Sequence, residues 1–515
     1  MKETGKVWLA GAGPGDEGLL TVKTRQVMDE ADVVVYDALV SMEILSQIPV
    51  DKEMIYVGKR AGHHPVPQNR IEEILVEKAK EGKNVLRLKG GDPFIFGRGG
   101  EEAEALIREG ISFEIIPGVT SACAVPAYAG IPLTHRDYVS SFHVVTAHPR
   151  KDGNSRIDYE ALVRAGGTCV FLMGVSSLAS ICNGLMEAGM SGSMPAAVLE
   201  KGTTAKQRRV VSTVAELQEA AAQAQIATPA IIIVGQVCEL ADTFAWSEKR
   251  VLGGRRFLIT RPRERASELA GRLRRLGAQV IELPSIQTRP LEIEGELKAE
   301  LEKFGTGTDR EEAWLLFTSP AGVKIFFEKL RQMRMDIRSI IRKPAKVCFA
   351  AIGSATGRAL TEHGIIPDVI PEKYDAGSLG MEVAKKAMPG SEILILRARE
   401  GSGALIPPMR EAGLDVKEIP LYETVYEIRD VFREQIESML LQGEIDAVTF
   451  TSASTVKGFV EMFKEQKKEI CDCITAVCIG EQTAEEAGKH GMKVEISKQA
   501  SMDSMVEKLI ELYQI

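Results

Sequence analysis

The chain has 515 residues, 44% of them hydrophobic and 26% charged, with a formal net charge of −8. That length exceeds one hydrophobic core, and the acidic balance argues against a nucleic-acid partner, so an anionic ligand must be held by local Arg and Lys. No apolar run reaches the ~18 residues of a membrane span, and residues 7–10 already read as a strand, not a leader. Eight cysteines, at 123, 169, 182, 238, 348, 471, 473 and 478, form no Cys-x-x-Cys or Cys/His ligand set. They read as reduced thiols of a cytoplasmic protein without a metal site.

In chain order, the strand 7–10 runs into Gly11-Ala12-Gly13-Pro14-Gly15-Asp16, a helix covers 19–31, and a second strand, 32–36, ends at Asp37. Gly-x-Gly followed by an acid mimics the dinucleotide fingerprint. Here Asp16 replaces the third glycine and Pro14 stiffens the turn, which leaves a tight strand-to-helix connection. A strand at 55–57 enters the basic loop Gly58-Lys59-Arg60, and the adjacent His63 and His64 read as part of a solvated loop. After an amphipathic helix, Gln68–Lys80, comes a strand at 84–88 that alternates apolar and basic residues. It breaks on Gly90-Gly91-Asp92-Pro93, continues through Phe94-Ile95-Phe96, and turns again at Gly97-Arg98-Gly99-Gly100 before an acid-opened helix. The glycines permit positive φ and close backbone approach, while Pro93 restricts Asp92. The stretch suits a ligand with apolar and charged parts.

Phe113–Ile116 leads to Pro117-Gly118-Val119-Thr120-Ser121 and a small-residue helix, and Phe142–Thr146 leads to Ala147-His148-Pro149-Arg150. Strands ending in glycine, proline and hydroxyl loops imply a cleft at the carboxyl edge of a sheet. From about residue 152 a second α/β lobe begins. Thr168–Leu172 ends at Met173-Gly174, a strand at 195–199 precedes Glu200-Lys201-Gly202-Thr203-Thr204, and Ala230–Val234 closes the lobe.

Residues 244–254 read as a linker. The remainder contains an internal repeat. Phe257-Leu258-Ile259-Thr260-Arg261, Gly277, Pro284 and Thr288 recur at one offset as Ile393-Leu394-Ile395-Leu396-Arg397, Gly413, Pro420 and Thr424. Thr318-Ser319 is echoed by Thr451-Ser452, and Gly353 with Thr356 by Gly480 with Thr483. Two copies of one α/β plan predict two lobes with a cleft. Their hydroxyls, backbone N–H groups and helix N-termini can bind carboxylates.

Residues 1–243 resemble uroporphyrinogen-III C-methyltransferase in the order and spacing of the glycine loops, Tyr36-Asp37, Gly58-Lys59-Arg60, 87–101, 117–121, 130–136, Met173-Gly174 and Gly202-Thr203. Residues 255–515 resemble uroporphyrinogen-III synthase through Thr260-Arg261-Pro262, Phe317-Thr318-Ser319, Gly353 with Thr356, Leu396-Arg397, Tyr422 with Thr424, Phe450-Thr451-Ser452, and Gly480 with Thr483. The resemblance implies a tetrapyrrole-methylase-type two-lobed α/β domain followed by a two-lobed synthase domain, whose lobes are about 255–288 plus 425–515, and 289–424. It implies S-adenosylmethionine as methyl donor at Pro14, Gly90, Gly91, Asp92, Ile95, Thr120, Ser121, Met173 and Gly202, with Asp37 and Lys59 as proton acceptor and donor. Arg60, Arg98, Arg136 and Arg150 lie on the cleft loops for substrate carboxylates.

The synthase resemblance implies no cofactor. It places Tyr422 as a weak acid at the departing hydroxyl, with Thr318, Ser319, Thr451, Ser452 and Thr483 near substrate. A homodimer through the first half, small tetrapyrrole substrates, and siroheme or cobalamin as end product belong to the same expectation. Two readings stay open beside it: a methyltransferase for another corrinoid intermediate or a translation substrate, and a second half that binds tetrapyrroles without catalysis. Asp37 as a helix cap and Tyr422 as a structural phenol also stay open.

Overall fold

The structure, a computed structural model, describes residues 4–49, 51–58, 66–147, 157–260, 263–283, 287–306, 311–342, 345–425 and 430–514. The chain divides into two compact units, Met1–Pro284 with Arg429–Ile515, and Ser285–Ile428.

The first sheet is built from β1 (Val7–Gly11), β2 (Val33–Tyr36), β3 (Glu53–Tyr56), β4 (Val85–Lys89) and β5 (Phe113–Ile116) in the order β3-β2-β4-β1-β5, all parallel. β1 and β2 are continuous apolar runs, as strands covered on both faces require. The central β4 departs from this rule, because Arg87 and Lys89 are both buried. They share a face with Val85, which packs with Ile71, Leu75, Ala103 and Leu106 of helices Gln68–Lys80 and Gly99–Arg108. Because the strands are parallel, the turns after β1, β2, β4 and β5 leave the sheet at one edge.

The second sheet contains β6 (Phe142–Thr146), β7 (Thr168–Leu172), β8 (Pro195–Glu200), β9 (Arg208–Thr213) and β10 (Ala230–Val234), ordered β6-β7-β10-β8-β9. β6 and β7 are parallel and the other pairs antiparallel. β9 has no counterpart in the sequence reading. It is an edge strand, Arg-Arg-Val-Val-Ser-Thr, whose charges protect an open edge and dilute the apolar signal.

Two more sheets follow. β11 (Arg256–Ile259) and β12 (Gln279–Glu282) belong to the first unit. β13 (Gln287–Pro290), β14 (Glu312–Phe317), β15 (Lys346–Ala351), β16 (Glu392–Ala398) and β17 (Asp415–Val425) make the sheet of the second unit. β18 (Ala447–Phe450), β19 (Thr475–Cys478) and β20 (Lys493–Ile496) return to the first.

The internal repeat is visible as topology. The order β12-β11-β18-β19-β20 matches β17-β16-β14-β15 position by position, with every one of these pairs parallel. Ser452 and Ser319 each cap a helix through their side chains. Gly480 and Gly353 each precede a nine-residue helix, Glu481–Lys489 and Ser354–Glu362. The fifth position differs: β20 in one copy corresponds to a single parallel bridge, Ala350 with Val369, in the other.

The stretch 244–254 is packed against its surroundings within the first unit. Trp246 Nε1 donates to Ala127 O at 2.9 Å and Ser247 Oγ to Tyr128 O at 2.6 Å. Arg250 Nη2 donates to Arg274 O at 2.7 Å. A cavity of about 640 Å³ adjoins this stretch, lined among others by Asp16, Glu17, Tyr128, Arg274 and Gln279. Its charged groups are largely paired within the protein: Asp16 accepts from Tyr128 OH at 2.8 Å, and Glu17 pairs with Arg274.

Candidate active site

The site begins with three backbones in contact. A Cβ on Gly118 would stand 2.2 Å from Gly91 O and 2.7 Å from Gly11 Cα, and one on Gly11 would stand 2.4 Å from Gly91 O. Backbone cannot yield as a side chain tip can, so these positions require glycine. Gly91, at φ 68°, also exchanges two hydrogen bonds with Gly13, at 3.1 and 2.7 Å. The turns after β1, β4 and β5 thus form one continuous floor.

Neighbouring loops close on it. Gly90 abuts Leu39, Gly15 abuts Thr203 and Thr204, and Gly202 lies against Val125, whose Cγ1 would be 2.2 Å from an added Cβ. Thr120 caps the helix Ser121–Tyr128. Through these contacts Pro14, Gly90, Gly91, Asp92, Thr120, Ser121 and Gly202 lie on linked turns. Met173 stands at the end of β7 on the second sheet, half exposed, at φ 55°.

Asp92 shapes its own loop. Oδ1 accepts the N–H groups of Phe94 at 2.8 Å and Ile95 at 3.1 Å, and Oδ2 accepts that of Gly118 at 3.0 Å. The carboxylate therefore holds the β4 turn to the β5 turn, a different occupation from gripping a ligand's amino group. The turn it shapes presents Phe94, Ile95 and Phe96, all exposed. Three consecutive exposed apolar side chains beside a polar floor form a surface with both characters.

Asp37 lies at the end of β2. Its Oδ1 accepts the Leu39 N–H at 3.1 Å and its Oδ2 accepts from Arg87 Nη2 at 3.1 Å. It closes a local turn and does not cap the next helix, Met42–Leu45, which starts from Ser41. Arg87 extends inward, and its Nε donates to Glu102 Oε1 at 3.2 Å. Lys89 Nζ donates to the same oxygen at 2.8 Å, as does Gln68 Nε2 at 3.3 Å. Burial, then the neighbouring Arg87, lowers the Lys89 pKa. Asp37, Arg87, Glu102 and Lys89 thus make a charge-balanced row from the cleft into the core.

The sequence reading did not assign Arg87, Lys89 or Glu102 a role. The signal was present in Val85-Leu86-Arg87-Leu88-Lys89, since two cations on one face of a central strand require buried acids opposite them. Glu101 and Glu102 are the first glutamates after that strand.

Lys59, Arg60 and Arg150 lie outside the described residues. Arg98 adopts φ 59° and pairs with Glu101 at 2.9 Å and 2.5 Å, which raises the Arg98 pKa; its side chain is exposed. Arg136 is exposed.

In the second unit, Tyr422 of β17 is buried, and its hydroxyl lies 2.6 Å from Ser319 Oγ, which accepts the Gly322 N–H at 3.0 Å. Burial raises the phenol pKa. Thr318 follows β14 directly and is partly exposed. Thr451, Ser452 and Thr483 belong to the first unit. Ser452 forms a capping box with Thr455, and Thr483 is buried in the first turn of Glu481–Lys489. Ser319 and Ser452 are therefore engaged first in holding helix starts.

Residues 6–218 match the tetrapyrrole (corrin/porphyrin) methylases and residues 267–507 match uroporphyrinogen-III synthase HemD. Fold and site define a two-part enzyme of tetrapyrrole biosynthesis, a methyltransferase joined to a uroporphyrinogen-III synthase. The porphyrin biosynthesis protein HemD of Ruminiclostridium josui is 43% identical over 99% of this chain and 98% of that protein. The chain belongs to the family of that porphyrin biosynthesis protein.

The uroporphyrinogen-III C-methyltransferase of Bacillus subtilis (strain 168) is 41% identical over 72% of this chain and 74% of its own length. The siroheme synthase of Pseudomonas entomophila (strain L48) is 50% identical over 48% of this chain and 53% of its own length. A crystal structure of uroporphyrin-III C-methyl transferase from Thermus thermophilus, complexed with S-adenyl homocysteine, is 39% identical over 46% of this chain and 99% of that chain, with a TM-score of 0.40. Among the described residues, no helix is long and apolar enough to cross a membrane, and no group of three or more His, Cys, Asp or Glu is placed to hold a metal ion.

Proposed function

We propose that the second half closes hydroxymethylbilane to uroporphyrinogen III with inversion of the last pyrrole ring. The first half then methylates that product twice, at C2 and C7, with S-adenosylmethionine to give precorrin-2. The methyltransferase occupies 1–243, the linker 244–254 and the synthase 255–515, and the enzyme works as a homodimer through its first half.

The observation that carries this reading is the glycine floor with Asp37 at its edge. A floor packed backbone to backbone, without side chains standing on it, lets a ligand approach the main chain closely, and it fits the amino-acid end of S-adenosylmethionine. Pro14, Gly90, Gly91, Thr120, Ser121 and Gly202 would hold that cofactor, with Ile95 and Met173 as apolar and soft packing surfaces. Asp92 would act by fixing the loop. The bound cofactor supplies an electrophilic methyl group on a sulfonium.

The chain's own residues align the electron-rich pyrrole carbon and handle protons. Asp37 accepts the proton, with Arg87 at 3.1 Å orienting the carboxylate. Lys59 is the proton donor, and Arg60, Arg98 and Arg136 hold substrate carboxylates. In the second half the buried, protonated phenol of Tyr422 assists departure of the hydroxyl, and Ser319 orients it. Thr318, Thr451, Ser452 and Thr483 line or shape the loops near substrate, and no cofactor takes part.

Replacing Asp37 with Ala tests the first half. The variant should bind S-adenosylhomocysteine as the wild type does and fail to methylate uroporphyrinogen III. Methylation at the wild-type rate would overturn the assignment of Asp37.

A further inference from the structure

We infer that Glu102 is a positioning residue for methyl transfer: through Arg87 it fixes the carboxylate of Asp37. The inference rests on the reading of Asp37 as proton acceptor.

Glu102 opens the helix Gly99–Arg108, in the first turn, where the helix dipole favours an anion. It is completely buried. Its Oε1 gathers Arg87 Nε at 3.2 Å, Lys89 Nζ at 2.8 Å and Gln68 Nε2 at 3.3 Å. Its other oxygen, Oε2, is buried without a hydrogen-bond partner. A carboxylate with one oxygen triply engaged and the other bare is not the cheapest way to fill a core, since an unsatisfied buried oxygen is costly. The arrangement makes sense as a means of orienting the donors.

Arg87 is the means of transmission. Its guanidinium is planar, so fixing Nε against Glu102 fixes the direction of Nη2, and Nη2 meets Asp37 Oδ2 at 3.1 Å. Nη1 donates to Leu88 O at 3.1 Å, which ties the same plane to the central strand. Asp37 has its second oxygen on the Leu39 N–H, so both oxygens are set. Lys89 balances the charge: without it the row would hold two acids and one cation. Glu102 does not sit at the edge of the cleft, so its action on the reaction runs through Arg87.

The test compares Glu102→Gln with the double variant Glu102→Gln/Lys89→Met in the full-length protein. Steady-state methylation of uroporphyrinogen III and titration with S-adenosylhomocysteine are measured for each. Glu102→Gln should lower kcat by about 10-fold to 100-fold, the scale of a misplaced catalytic group. KM and S-adenosylhomocysteine affinity should stay within about twofold of wild type. The double variant removes one acid and one cation together, so its core remains charge-balanced. It should fold, and it should keep the low kcat, because a neutral amide holds Arg87 more weakly than the carboxylate does.

Recovery of wild-type kcat in the double variant would overturn the inference and leave Glu102 as a neutralising charge only. So would a Glu102→Gln enzyme with unchanged kcat, or one whose KM rises and whose cofactor affinity falls in step with the loss of kcat. A failure of the underlying reading would show separately, as an Asp37→Ala enzyme that still methylates.

Discussion

Glu43 Oε1 lies 2.9 Å from Arg256 Nε, and both side chains are buried. Glu43 sits in the short helix after the Asp37 turn, and Arg256 opens the first strand beyond the packed stretch 244–254. Arg256 also reaches Glu444 at 3.1 Å and Gln279 Oε1 at 2.9 Å, and Gln279 Oε1 accepts the N–H of Ala205, three residues past Gly202. The methyltransferase half and the synthase strands of the first unit are therefore joined through a polar core. Removing one partner of a buried pair leaves a charge without compensation, at a cost of about 3–5 kcal/mol. Arg256→Met should lower the denaturation midpoint sharply, and Arg256→Met/Glu43→Met should recover much of the loss. Equal midpoints for wild type and Arg256→Met in urea unfolding would contradict this.

The glycine floor predicts two kinds of failure. Gly118→Ala sets a methyl group against backbone at 2.2 Å, which no neighbouring substitution can relieve. Gly202→Ala meets the Val125 side chain, so Gly202→Ala/Val125→Ala should regain what Gly202→Ala alone loses. Overpacking of this kind costs about 1–3 kcal/mol. Calorimetric titration with S-adenosylhomocysteine, alongside thermal melts, should show rescue for the Gly202 pair and none for Gly118→Ala/Val125→Ala.

The Tyr422–Ser319 pair gives the synthase prediction. Tyr422→Phe removes one buried hydrogen bond, at about 1 kcal/mol of stability, and should reduce the yield of type-III ring relative to the spontaneous type-I ring. Burial raises the phenol above its ordinary value of 10.0, so the folded state binds this proton more tightly than the unfolded chain. The associated stability is present in full below pH 10 and is lost as pH rises through the folded value. Wild type should therefore lose more stability than Tyr422→Phe on moving above that pH, as followed by urea unfolding.

Cysteine reactivity should divide by burial. Cys238 and Cys478 are pushed up to about 12, and Cys169 and Cys471 to about 11, by desolvation. Cys123 and Cys473 are the exposed thiols. At about pH 8, native protein should modify at these two first, with the buried thiols reacting only on unfolding. Peptide mapping after brief alkylation reads this directly.

Much of this architecture is legible in the sequence because its signals are local. The turn after β4 announces itself through paired glycines and an Asp-Pro step, and the repeat through equal offsets from 257 to 424. Other features depend on partners far along the chain. Nothing local says that Asp92 would bond Gly118, or that Gly11 must be glycine because Gly91 and Gly118 press on it. Arg87 and Lys89 look like the polar side of an alternating strand until both faces of β4 prove covered. β9 was missed for the opposite reason, since an edge strand needs few apolar residues and its arginines find acids elsewhere, Glu200 for Arg208 and Glu248 for Arg209.

The central claim is that one chain makes uroporphyrinogen III and methylates it. The direct test supplies hydroxymethylbilane and S-adenosylmethionine to the full-length protein and analyses the tetrapyrroles by mass spectrometry and isomer-resolved chromatography. The account predicts a dimethylated type-III product, formed with stoichiometric S-adenosylhomocysteine. Accumulation of the type-I ring alone, with no methylated type-III species, would contradict it.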